Sequence, residues 1–177
     1  MSLLRILRFP DPFLRQPTVE VTAFDADLRT LVANMTETMY AKNGAGLAAI
    51  QVGSPLRLYI IEPTVAGRGE NDPPMVFVNP KLEWLSDESE TSDEGCLSFP
   101  GIYVPVKRHL KARVRALDLD GQEFTAEGEG LYARALQHEH DHNVNRLLID
   151  YVGPLKRQLI KRKLAREAAA EASEGPE

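Results

Sequence analysis

Three of the chain's four histidines fall within five residues, in Gln137-His138-Glu139-His140-Asp141-His142. On a helix, His138 and His142 stand one turn apart on the same face, while His140 turns roughly to the opposite side. The pattern His138-Glu139-x-x-His142 therefore offers two imidazoles to one metal and a carboxylate that can act as general base. The plainer reading of the bare pattern is a solvated helix rich in histidine and acid. A catalytic site of this kind typically takes three protein ligands and keeps one position open. The only cysteine, in Glu94-Gly95-Cys96-Leu97-Ser98, is a natural third ligand, although a lone cysteine is more often an inert buried residue. A further segment, Gly44-Ala45-Gly46-Leu47-Ala48-Ala49-Ile50-Gln51, has so little side-chain bulk that a peptide backbone can lie against it. Gln51 adds an amide donor. Its alternative is a helix stop followed by small-residue packing.

These residues need elements to position them. Leu28, Leu31, Val32, Met35 and Met39 recur at helical spacing, which predicts a helix over residues 25–42, capped by Asp25 or Thr22 and stopped by Asn43-Gly44. Strands are expected at residues 56–61, 75–79, 81–85, 102–106 and 111–119, and Asp120-Gly121 turns the last of these into 123–126. Residues 62–74, rich in Gly, Pro, Asn and Asp, read as an exposed loop. A helix from about Gly130 carries the histidines, and on it Leu131, Ala135, His138 and His142 share one face. After a strand-like run at 147–152, Pro154 opens a charged helix to about residue 172, and residues 173–177 should fray. No repeat or linker divides the chain, so residues 1–172 form one expected domain.

Composition sets the class. At 177 residues, with 43% hydrophobic and 27% charged residues, the chain suits a single globular domain with a sizeable core. A net charge of −5 argues against nucleic acid as the main partner. One cysteine precludes an internal disulfide and fits a reducing cytosol. No segment reads as a signal peptide or a membrane span. A cytoplasmic location with no membrane partner is the expectation.

Taken together, and in this order and spacing, the segments Gly44–Gln51, Glu94–Ser98 and Gln137–His142 resemble the three signature motifs of the peptide deformylases, and the similarity runs from about Leu4 through Tyr151. The resemblance implies an α+β fold whose mixed or antiparallel strands surround a central helix bearing the His-Glu-x-x-His motif, with a C-terminal helix. It also implies a metal-dependent amide hydrolase in protein biosynthesis. Such an enzyme removes the N-formyl group from the N-terminal formyl-methionine of newly made polypeptides by way of a metal-activated water. Carried over by position, Cys96, His138 and His142 bind the metal, with iron(II) the native ion and zinc or nickel as substitutes. Glu139 handles protons, while Gln51 and the Leu97 backbone N–H bind the oxyanion. Ala45, Gly46 and Gly95 hold the peptide as an added strand, and Leu131 and Ala135 border the methionine pocket. The chain departs from the family pattern after the second histidine, where Asn143 replaces a usual Leu and Asn145 a usual Gly. Asn is well suited to the left-handed cap at 145. Arg108 and Asp141 are expected to pair in support of the metal helix, whereas His109 and His140 have surface or structural places.

Two other readings stand beside this one. A zinc endopeptidase would draw its third ligand from downstream, where only Glu167 and Glu171 of the last helix are on offer. A non-catalytic ribosome-binding protein would use the basic side chains Lys156, Arg157, Lys161, Arg162, Lys163 and Arg166 of the same helix.

Overall fold

The computed structural model describes residues 2–175. Helix α1, Ala26–Ala41, starts where the Asp25 carboxylate accepts the Leu28 N–H. It stops where Asn43 takes a positive φ of 54°. There the Gly44 N–H reaches back to the Met39 carbonyl and the Asn43 N–H to that of Tyr40, a Schellman ending. The chain then enters the short strand β1, Gly46–Ala48, and a 3-10 turn over Ala49–Val52 that carries Gln51.

Strand β1 is one edge of an antiparallel five-stranded sheet. The others are β2 (Leu58–Ile61), β3 (Met75–Leu85), β6 (Lys111–Leu117) and β7 (Glu123–Glu129), in the order β1-β2-β3-β6-β7. Strands β4 (Ser89–Cys96) and β5 (Phe99–His109) form a separate hairpin. Helix α2, Gly130–Asn143, contacts both β-structures, so the expected central helix surrounded by antiparallel strands is observed. It leaves β7 through Gly130 at φ 57°, a conformation open to glycine without strain.

Three apolar clusters hold these layers. Leu28, Val32, Met35 and Met39 of α1 pack on Leu47, Leu58, Ile60 and Val78 of the sheet. On the other face, Tyr59, Ile61, Phe77, Val114 and Ala116 meet Ala133 and Leu136 of α2. Strand β6 shows the alternation that makes this work. Ala112, Val114 and Ala116 turn inward, while Lys111, Arg113 and Arg115 turn outward to Glu129, Glu127 and Glu83. The third cluster joins Val104 and Val106 of the hairpin to Ile160 and Leu164 of the C-terminal helix α3, Pro154–Glu174.

Several expectations change. Residues 75–79 and 81–85 are one strand, kinked at Asn79, whose φ is 50° and whose amide bonds the Val21 N–H and carbonyl. Strand β4 was not foreseen, because Ser89–Glu94 is polar on both faces and carries no apolar alternation. Residues 147–152 are not a strand. Leu148–Tyr151 form a 3-10 turn, since the Asp150 carboxylate accepts the Leu147 N–H at 2.9 Å and ties the segment to Arg15. The loop at 62–74 contains a 3-10 turn over Pro63–Ala66. Helix α3 runs two residues past the expected end, so Ser173 and Glu174 are still helical, and residues 176–177 of the expected frayed tail lie outside the described residues.

Candidate metal centre and its cleft

His138 and His142 project from the same side of α2, their ring centroids 5.2 Å apart. Cys96 ends β4, one residue before the turn at Leu97-Ser98 that leads into β5. The hairpin lies against α2 and brings the three together: one ligand atom each of Cys96, His138 and His142 lie within 4.8 Å of one another. Cys96 Sγ is 3.5 Å from His142 Nε2. A tetrahedral metal with ordinary thiolate and imidazole bonds places these two atoms about 3.6 Å apart, so the donor set fits a single ion. Glu167 and Glu171 of α3 are not part of this group; Glu171 pairs with Arg8.

What sets the His138 ring is a buried carboxylate to which the sequence assigns no role. Glu94 lies two residues before Cys96 and is 6% exposed. Its Oε1 meets His138 Nδ1 at 2.8 Å, which turns Nε2 of that ring toward the cysteine side. Arg108 donates to both Glu94 oxygens, at 2.8 and 2.9 Å, and Arg134 adds a third contact at 2.6 Å. Burial alone would raise the Glu94 pKa, but hydrogen bonds from Arg108 and His138 outweigh it and bring the carboxyl down to about 2. Nothing local marks Glu94, because β4 is polar on both faces and its register breaks between Glu94 and Cys96.

The expected Arg108–Asp141 pair is present at 2.8 Å, and Tyr151 closes the network by donating to Asp141 at 2.5 Å. Gln137 fastens the helix to β5. Its carbonyl accepts the His109 N–H and its amide donates to the His109 carbonyl. His109 itself serves the fold, with Nδ1 2.6 Å from the Ser86 carbonyl. His140 is half-buried and belongs to no ligand group. Asn145 takes the left-handed φ of 62° foreseen for it. Asn143 is buried, and among the described residues its amide atoms have no partner.

The two ring environments differ. Burial pushes the His142 pKa well below its ordinary value, which keeps that ring in its neutral, ligating form. Burial pulls the same way on His138, but hydrogen bonds with Cys96 and Glu94 carry it well above. Burial also raises Glu139, to about 7. Its Oε2 has no partner among the described residues. Its Oε1 lies where a side chain at residue 46 would be, since a Cβ on Gly46 would sit 2.6 Å from it.

A cleft of about 1380 Å³ opens beside these groups. Ala45 and Gly46 line it on one side, Gly95 and Leu97 on another, and Leu131 and Ala135 from α2. Strand β1 presents a free edge to it. The Glu62 N–H bonds the Ala45 carbonyl and Gly46 stands opposite Ile61. In antiparallel pairing this turns the Gly46 N–H and carbonyl outward, away from β2. Gly95 lies at the break between the register pairs Glu94–Val104 and Cys96–Phe99, where β5 carries the extra residues, so it stands outside the register pairs of the hairpin ladder. Gln51 is buried and held at both ends of its amide. Oε1 accepts the Ala48 N–H at 2.9 Å, and Nε2 lies 3.0 Å from Ser98 Oγ and 3.4 Å from Cys96 Sγ.

Comparison with known proteins places this arrangement. The sequence profile of the polypeptide deformylase family matches residues 3–158. The peptide deformylase of Rhizobium meliloti is 44% identical, covering 95% of each chain. That of Azotobacter vinelandii is 46% identical over 94% of this chain and 97% of its own. The chain belongs to the polypeptide deformylase family. Solved members share its fold. The Legionella pneumophila peptide deformylase superposes with a TM-score of 0.89 at 41% identity, covering 96% of this chain and 98% of that one. The Ehrlichia chaffeensis peptide deformylase, solved with actinonin, gives 0.87 at 36% identity over 94% and 98%. Membership supports a deformylase-type hydrolase, and the family is one of metalloenzymes.

Proposed function

We propose that this chain hydrolyses the N-formyl group from the N-terminal formyl-methionine of newly synthesised polypeptides. One observation carries the reading. The Cys96, His138 and His142 donors converge beside the Glu139 carboxyl, whose Oε2 has no partner among the described residues, at the floor of a cleft bordered by the free edge of β1.

The peptide would lie along that edge as an added strand, with its backbone on Gly46 and Gly95. Ala45 contributes a wall rather than a carbonyl, since its carbonyl is already bonded. Leu131 and Ala135 would receive the methionine side chain. Cys96, His138 and His142 would hold a divalent metal, iron(II) in the native protein with zinc or nickel as substitutes, and such an ion lowers the pKa of a water to about 7. Glu139, whose own carboxyl is raised to about 7, is suited to take the attacking water's proton and return it to the leaving nitrogen. As the C–N bond breaks, formate and a free methionine amine result. The Gln51 amide and the Leu97 N–H would receive the charge that develops on the formyl oxygen.

The partners are nascent polypeptides in the cytoplasm, and residues 1–172 act as one catalytic domain. Helix α3 is suited to meet the ribosome through the exposed Lys156, Lys161, Arg162 and Arg166. Arg157 and Lys163 are bonded to the carbonyls of Val152 and Gly101. No helix among the described residues is long and apolar enough to cross a membrane.

The test is an anaerobic assay of a formyl-Met peptide beside an unformylated peptide with internal bonds. Release of formate only, reduced about 10²- to 10⁴-fold in Glu139→Ala with bound metal retained, agrees with the reading. Cleavage of internal bonds, or full deformylation by Glu139→Ala, overturns it.

A further inference from the structure

We infer that Ser98 is the positioning residue that holds the Gln51 amide ready for the formyl oxygen. This inference rests on the proposed deformylation for its kinetic consequences, though not for its geometry. Ser98 is completely buried. A buried hydroxyl is unfavourable unless bonded, and among the described residues the partner of Ser98 Oγ is Gln51 Nε2, at 3.0 Å. The other end of the amide is fixed by the Ala48 N–H on Oε1 at 2.9 Å.

These two contacts determine which way the amide faces. Rotated by half a turn, it would set its NH₂ against the Ala48 N–H, donor against donor, and its oxygen against the sulfur that would be a thiolate when ligating. With Ser98 accepting one N–H, the second is directed toward Cys96 Sγ, 3.4 Å away, on the side where the formyl oxygen would arrive. The formyl oxygen would share that second N–H with the sulfur, and a donor already aimed before charge develops needs little reorganisation during the reaction.

The backbone supports the same arrangement. The N-terminal segment bonds both residues, through Leu7 N–H to the Gln51 carbonyl at 2.7 Å and Phe9 N–H to the Ser98 carbonyl at 2.9 Å. One stretch of chain therefore sets the separation between the serine and the glutamine. Ser98 also occupies the turn that follows Cys96, so a single turn places the thiolate and orients the neighbouring donor. Ser98 itself would touch neither substrate nor metal.

The experiment is a double-mutant cycle on formyl-Met peptide hydrolysis, combined with NMR of the Gln51 side-chain amide. Ser98→Ala is expected to lower kcat about tenfold, part of the about 10²- to 10³-fold cost of losing such a donor, with KM nearly unchanged. In a Gln51→Ala background the same substitution should change kcat less than about twofold. Equal losses in both backgrounds, as a merely structural serine would give, overturn the inference, as does the absence of any loss in the first. Independently of activity, the Gln51 side-chain NH₂ protons of the unsubstituted protein should exchange slowly with solvent and become fast in Ser98→Ala. Fast exchange in the unsubstituted protein also overturns the inference, including where Ser98→Ala does not fold. If the unsubstituted protein released no formate, the deformylase reading would fail, and the exchange measurement would still decide the role of Ser98.

Discussion

Glu94 contacts His138 on one side and two arginines on the other, so a single carboxylate orients one proposed ligand and shares the charge of Arg108 and Arg134. An outer carboxylate of this kind raises ligand basicity and fixes ring orientation, and its loss typically weakens metal binding about 10- to 100-fold. Glu94→Gln is accordingly expected to lower metal affinity by that factor, read by competition with a chelator. The same change leaves Arg134 without its counter-charge and Arg108 with Asp141 alone. Removing one partner of a buried pair costs about 3–5 kcal/mol, so denaturant unfolding should show a loss near the lower end, since Gln still accepts hydrogen bonds. Gly46 makes a different kind of contribution. An added Cβ would meet Glu139 Oε1 at 2.6 Å, and either the strand or the carboxylate must then shift. Gly46→Ala should therefore retain its metal and lose about 10²-fold in kcat through misplacement of the base. Unchanged turnover would show that the carboxylate has another resting place.

Among the elements, helix α2 is unusual in burying polar side chains along its second half. Gln137, Glu139, Asp141 and His142 are all buried. Each apart from Glu139 and His142 has its polar atoms bonded to the hairpin or to the segment after the helix. The turn over Leu148–Tyr151 is held in a comparable way. Arg15 reaches Asp150 through two hydrogen bonds and also bonds the Asn145 carbonyl. Burial works against the Asp150 charge, but the Arg15 bond and the Leu147 N–H prevail and its pKa is lowered. A carboxyl held lower in the folded state stabilises it above the unfolded pKa, near about 3.9 for aspartate, and that stability is lost as pH falls through the folded value. Asp150→Asn should thus be less stable than the unsubstituted protein at pH 7, and the gap should close as the pH is lowered past 4. A gap that stayed constant into acid would assign the effect to something other than this charge. The pair is partly solvent-exposed, so the difference should be small.

At the scale of the molecule, the proposed ligands come from two different elements, the β4-β5 hairpin and α2, and a metal bridging them would add to the contacts that join the two. Binding to the folded state alone adds about 4 kcal/mol when free metal is a thousandfold above Kd. Stripping metal from the purified protein should then lower Tm on the order of 10 °C, with recovery on adding zinc; an unchanged Tm would mean that the site is not a structural link. Much of this could be read from residues alone. Helices α1 and α2 and the turn at Asp120-Gly121 follow from local rules of capping and 3.6-residue periodicity, and the chemistry of the donors marks Cys96, His138, Glu139 and His142 as candidates. Glu94, Arg134, Ser98 and the strand β4 could not be read that way. Their roles depend on which segments meet in space, and a polar strand or a buried carboxylate has no local signature. The sequence by itself determined which chemical groups are available and on which helical face they stand. The tertiary structure alone decided which of them are buried together and with what partners: burial raises both carboxyls, but bonds from Arg108 and His138 bring Glu94 down, while Glu139, whose Oε2 has no partner among the described residues, stays raised.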